Sequence, residues 1–290
     1  MLTVGRGVKI WVFASLCALL LWVVCMLPSS FKHLFNVILG QPDFYTGNLG
    51  MFVASHIGLL ARFFAVILAL ASGFMLWSTN LTSYTKLARI VETVLFLEGT
   101  YYILLFPSGL WWVGLGFNFI GLDYLLRAAL AGSALLMLSF KVQDFAKGMN
   151  VLKWIGIAAV SYIIALWFNV VFGWFDMIAV LGSGFLLTGA ASWGFLVSLI
   201  AMSLAVVFAV AGAHLLSKNL GESVKWFGLS LAMIGLNYVV YLLYSFLSGN
   251  LDPAMAIDLW ALPFLGLGIS LFRTKIPKSI VNDNSSSELD

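Results

Sequence analysis

Residues 50–77 read GMFVASHIGLLARFFAVILALASGFMLW, a stretch in which Arg62 is the only charged residue. About 20 apolar residues at 1.5 Å rise each are enough to cross a bilayer core as a helix. This stretch is longer than that and apolar around its whole circumference, which suits a helix in lipid and not one at a protein–water boundary. Runs of the same kind occur at roughly 10–27, 88–106, 118–140, 152–173, 192–216, 226–248 and 256–272, so the sequence predicts eight transmembrane helices.

Composition leads to the same class. The chain has 290 residues, 62% hydrophobic and 9% charged, where a soluble domain carries about 25% charged residues. A water-facing surface cannot be built from so few charges, which excludes a soluble enzyme. The net charge of +3 gives no reason to expect nucleic acid as a partner. Cys17 and Cys25 lie eight apart with no CxxC or zinc-ligand spacing, so neither a disulfide framework nor a metal site is read.

The first run could be a signal peptide, since Arg6 and Lys9 precede it and Pro28-Ser29-Ser30 follows. Its apolar length exceeds the usual 7–15 residues and no A-x-A site follows, so it is read as a retained helix. Cleavage would leave seven helices.

Charge distribution tests the count. With eight spans, Arg6, Lys9, Lys86, Arg89, Lys141, Lys147, Lys153, Lys218, Lys225, Arg273, Lys275 and Lys278 all fall on one side. The other side has Lys32 with Asp43, Asp176, Asp252 and Asp258. Short loops rich in Lys and Arg stay cytoplasmic, which predicts a multi-pass protein of the cell membrane with both termini inside. Trp11, Trp77, Trp154 and Trp226 mark the inner ends, and Trp111, Trp112, Trp174 and Trp260 the outer ends. Residues 31–39 are expected to lie flat as an interfacial helix. Residues 177–190, apolar and Gly-rich, are expected either to re-enter the membrane or to extend the sixth helix.

A shift of 139 residues aligns two stretches without gaps. Gly73, Leu76, Ser78, Asn80, Leu81, Lys86, Leu97, Tyr102 and Leu104 meet Gly212, Leu215, Ser217, Asn219, Leu220, Lys225, Leu236, Tyr241 and Leu243. Lys9, Trp22 and Asp123 match Lys153, Trp167 and Asp258 at slightly different shifts. The fold class read from this is an all-α integral membrane protein of two tandem, parallel four-helix repeats. The units are 1–148 and 149–276, followed by a disordered cytoplasmic tail, 277–290.

Four charges fall inside predicted spans: Arg62, Glu98, Asp123 and Arg127. A charge at the bilayer centre costs at least about 2.5–3.5 kcal/mol by insertion scales, so such residues face the bundle interior and pair. Asp123 and Arg127 are i, i+4 in the favourable acid-first order. Arg62 and Glu98 lie at matching depths across the second and third helices. The functional reading is a polar cavity opening outward, lined also by His56, Tyr101, Tyr102 and Tyr124, that binds a substrate or moves an ion. The alternative is an ion-pair network that only fixes packing. In the second repeat Arg62 becomes Ala201 and Glu98 becomes Asn237, as if the pair were lost as a unit. Glu92 is read as a surface pair with Arg89, and Asn169 and Asn237 as interhelical hydrogen-bonders.

No P-loop, dinucleotide-binding, HExxH, GxSxG or CxxCH motif occurs, and no cofactor is implied. The leading expectation is a small transporter or channel with its site in helices 2–4. The alternatives are a non-catalytic scaffold or subunit of a larger membrane complex, and a membrane-embedded enzyme acting on a lipid or quinone. The partners expected are membrane lipids, a small-molecule, ion or lipid ligand, and further copies of the chain or a larger complex.

Overall fold

Many of the most deeply buried described residues are small or hydroxylic, and many large apolar ones face out. Ala131, Ala205, Ala209, Ser223 and Ser230 have no exposed surface, whereas Leu21, Phe74, Phe140 and Trp193 are about two-thirds exposed. Water would drive the opposite sorting. Lipid tails are as apolar as leucine, so helices there associate through close backbone approach and interhelical hydrogen bonds.

The computed structural model describes residues 6–39, 49–77, 84–116, 118–142, 151–181, 189–247 and 262–274. They form α1 (Arg6–Ile38), α2 (Leu49–Trp77), α3 (Tyr84–Ile103), α4 (Leu105–Gly114), α5 (Asn118–Arg127), a π-helical turn (Ala128–Gly132), α6 (Ser133–Val142), α7 (Val151–Leu181), α8 (Gly189–Leu215), α9 (Leu220–Leu247) and α10 (Leu262–Phe272). Seven helical stretches are long and apolar enough to cross a membrane; α3 with α4 is one of them, and α5 through α6 another. The chain is therefore an all-α membrane protein. Of the eighth predicted span only α10 is described; 256–261, like the tail 277–290, lies outside the described residues.

The break between α3 and α4 falls at Leu104, one turn before Pro107. Proline has no N–H to give the carbonyl four residues back, here Ile103, and helices bend at such points. Pro28 has no such effect, since α1 runs through it to Ile38. Residues 31–38 thus continue the first helix and are not a separate interfacial one. The Pro-Ser-Ser signal is overridden because a membrane helix that keeps its remaining backbone bonds tolerates proline. Part of the 177–190 segment is likewise helical: α7 continues to Leu181 and α8 begins at Gly189, with 182–188 outside the described residues.

The spans are arranged in a ring, in chain order. Extensive packing joins each span to the next, and α10 to α1, which closes the circle. Neighbours run antiparallel. Gly7 of α1 lies by Ser270 of α10, and Gly156 of α7 by Ala213 of α8. Ser223 and Ser230 of α9 donate to the carbonyls of Gly212 and Ala205 of α8, each at 2.7 Å. Trp167 of α7 donates its indole N–H to Ser203 of α8 at 3.1 Å. The α9–α10 seam brings backbones into contact, because a Cβ on Gly268 would stand 2.4 Å from the Ala232 nitrogen.

Candidate functional site

Arg62 is the fourteenth of the 29 residues of α2 and is 5% exposed. Its Nη2 meets Glu98 Oε1 of α3 at 3.3 Å. Three aromatic rings surround the guanidinium, with Cζ 4.7 Å from the Trp22 centroid, 4.5 Å from Tyr101 and 5.8 Å from Tyr102. The negative faces of these rings take the place of water around the cation, each contributing about 0.5–2 kcal/mol. Arg62 Nε has no hydrogen-bond partner among the described residues, so the cation is held chiefly by one carboxylate and by ring faces.

Tyr102 extends the cluster across the ring. Its hydroxyl donates to the Tyr162 hydroxyl of α7 at 3.1 Å, with the two rings edge to face. Tyr102 also packs on Ala131 of the π-helical turn and Ala165 of α7. The close approach requires Gly132 there, since a Cβ at that position would meet the Ile103 backbone nitrogen at 3.0 Å.

Asp123 and Arg127 form a second site on α5. Arg127 Nη2 donates to Asp123 Oδ2, and its Cζ lies 5.1 Å from the Tyr124 centroid. Asn169 of α7 donates to the same Oδ2 at 3.1 Å. Asp123 Oδ1 and Arg127 Nε lack partners among the described residues. The π-helical turn follows Arg127 directly. Its one wide turn rotates α5 relative to α6, so that α5 meets α4 and α7 while α6 meets α3 and α7. Among the described residues no salt bridge joins this pair to Arg62 and Glu98.

A cavity of about 520 Å³ borders the first pair. Its walls are apolar except for Glu98 and Tyr162, and Leu16, Leu19, Ala65, Ala69, Leu231 and Phe264 are among the residues that form them. In α1, α2 and α3 the lining residues fall on one side of the pair. In α1 they precede Trp22, in α2 they follow Arg62, and in α3 Val94 precedes Glu98. The cavity therefore runs from Glu98 toward the end of the bundle where α1 begins. The other residues expected to line an outward-opening cavity, Tyr101, Tyr102, Tyr124 and His56, do not line this one. The first two rings pack on Arg62 and on each other instead. Tyr124 lies under Arg127, and the His56 ring lies tilted against that of Phe52, one turn away, with centroids 4.1 Å apart and its Nδ1 2.7 Å from the Phe52 carbonyl. The room comes from small residues below the pair, Ala65, Ala69, Ala158 and Ala159.

The sequence does not mark Trp22 and Tyr162 as site residues: Trp22 stands out only through its match to Trp167, and Tyr162 lies in an apolar run. A hydroxyl midway along a span is a signal of the same kind as a buried charge. Among the described residues no three His, Cys, Asp or Glu side chains cluster as metal ligands.

No family model, curated protein or solved structure matches this chain.

Proposed function

We propose that the protein is a small membrane transporter whose site takes a largely apolar molecule bearing one polar group. The observation that carries this reading is the cavity at Glu98. Its 520 Å³ lies within the 300–1,000 Å³ of small-molecule sites, and its chemistry is divided: hydrocarbon along its length, with a carboxylate and a phenol bordering it. Apolar space of this size, bordered by two polar groups, suits an apolar occupant that can meet them. Arg62 holds the Glu98 carboxylate in place, and Tyr162, tied to Tyr102, offers a second polar contact.

Two further features support the frame of this reading. Lys9, Arg89, Lys141, Lys153, Lys218, Lys225 and Arg273 stand at or near the helix ends on the side where α1 begins, which favours that side as cytoplasmic in a cell membrane. The bounds of α2, moved by the 139-residue shift, fall within a residue of those of α8. This agrees with two parallel four-helix units, 1–148 and 149–276, a known transporter plan. In the second unit Ala201 and Asn237, both buried, replace the charged pair.

The enzyme reading, on a lipid or quinone, uses the same cavity with Glu98 and Tyr162 as proton carriers. One experiment addresses both. Protein released gently from its own membranes is weighed by native mass spectrometry, and the bound mass is identified. Ala159→Phe, which fills the cavity without touching the ion pair, should remove that mass, and Glu98→Gln should weaken its retention. In reconstituted vesicles a transporter moves the molecule unchanged, whereas an enzyme alters it. A cavity that always purifies empty, and an Ala159→Phe variant that changes no bound mass, would refute the reading.

A further inference from the structure

A second cavity, of about 460 Å³, lies between α7 and α8 at the end of the bundle where α7 begins. Its mouth is basic. Lys153, in the first turn of α7, and His214, in the last turn of α8, both line it and are both exposed, with Ser217 beside them. Lys218 donates its Nζ to His214 Nε2 at 3.0 Å, so a second ammonium stands at the same opening. Among the described residues no acid lines this cavity.

Behind the mouth the groove is mainly apolar, with Ser161 its one hydroxyl. Ile157, Val160 and Val210 continue it from Lys153 for two helical turns, roughly 10 Å. Ile157 and Val210 are exposed on the outside of the bundle, the face that meets lipid. The floor is small because Gly156 lets the helices touch: a Cβ there would lie 3.1 Å from that of Ala213. The groove has the division of a phospholipid, with cationic donors at the helix ends and an apolar trough running into the membrane.

We infer that this groove binds an anionic phospholipid. Lys153, His214 and Lys218 hold the phosphate, and one acyl chain lies along Ile157, Val160 and Val210. A zwitterionic lipid carries its own cation at the headgroup and is disfavoured beside the Lys153 and Lys218 ammonium groups, while an anionic one gains from each. This inference is independent of the cavity at Glu98.

The test uses delipidated full-length protein in detergent micelles, offered equal amounts of phosphatidylglycerol and phosphatidylcholine, with bound lipid counted by native mass spectrometry. Wild type should retain phosphatidylglycerol preferentially, and Lys153→Ala should reduce that preference about fivefold. Val210→Trp keeps every charge but fills the trough, and should also remove the preference. Lys225→Ala, which deletes a cation paired with Glu222 outside the groove, should leave it unchanged. Inorganic phosphate at matched concentration should not displace the lipid. Equal retention of the two lipids, a loss in Lys225→Ala as large as in Lys153→Ala, or displacement by phosphate alone would each overturn the inference. Helical circular dichroism checks folding, and Lys153→Gln and Val210→Phe stand in for a variant that misfolds.

Discussion

Asn169 of α7 donates to the Asp123 carboxylate oxygen that Arg127 of α5 also holds. One oxygen thus joins two spans and ties the ion pair to a neighbouring helix. The contributions are unequal. Asn169→Leu removes a single interhelical hydrogen bond, worth about 0.6 kcal/mol on average in membrane bundles. Asp123→Leu strands the Arg127 cation and should cost about 3–5 kcal/mol. Reversible unfolding in mixed micelles measures both, and equal losses would contradict this division.

Arg62 and Glu98 should behave as one unit. Arg62→Met or Glu98→Gln alone leaves a buried charge without its counter-ion, at about 3–5 kcal/mol. The double variant should lose less than the sum of the two, and less than the worse single variant. Additive losses in that double-mutant cycle would show that the pair is not coupled.

The ring faces around Arg62 are separable from the ion pair. Tyr101→Phe keeps the face 4.5 Å from the guanidinium and should be nearly neutral. Tyr101→Leu removes it and should lose about 0.5–2 kcal/mol. Phe and Leu variants of equal stability would mean the ring acts only as bulk.

At the α9–α10 seam, Gly268→Val must force two backbones apart and should cost about 1–3 kcal/mol or more. Gly114→Val, where a new Cβ meets nothing within 4 Å, is the control and should be nearly silent. A thermal melt in detergent that ranks the two the other way would contradict the close approach.

Orientation is open to direct labelling in a background with Cys17 and Cys25 replaced. Leu115→Cys, after α4, and Ser217→Cys, after α8, are both exposed and at opposite ends of the bundle. An impermeant maleimide should reach the first from outside intact cells and the second only after permeabilisation. The reverse pattern would invert the assigned topology.

Much of this architecture could be read before any coordinates. Spans announce themselves because lipid requires long apolar helices, and the Arg62–Glu98 pair because a lone charge in lipid is too costly to keep. The path of α1 could not be read, since Pro28-Ser29-Ser30 looks like a stop in any local reading and is decided by the bonds on either side. The location of the cavity was also hidden. Open volume is set by where small side chains from several helices coincide, and Ala65, Ala69, Ala158 and Ala159 acquire meaning only together. Nor does periodicity reveal the π-helical turn at Ala128–Gly132, because AALAG suits an α-helix equally well.

The ring has a consequence for how the protein is made. Among the described residues each span packs against the one synthesised just before it, so these seams can form between consecutive helices as they emerge. The seam between Trp11 of α1 and Gly266 of α10 cannot, because its halves are separated by nearly the whole length of synthesis. Until then the hollow beside Glu98 lacks Phe264. The last helix inserted is the one that turns a row of hairpins into a ring.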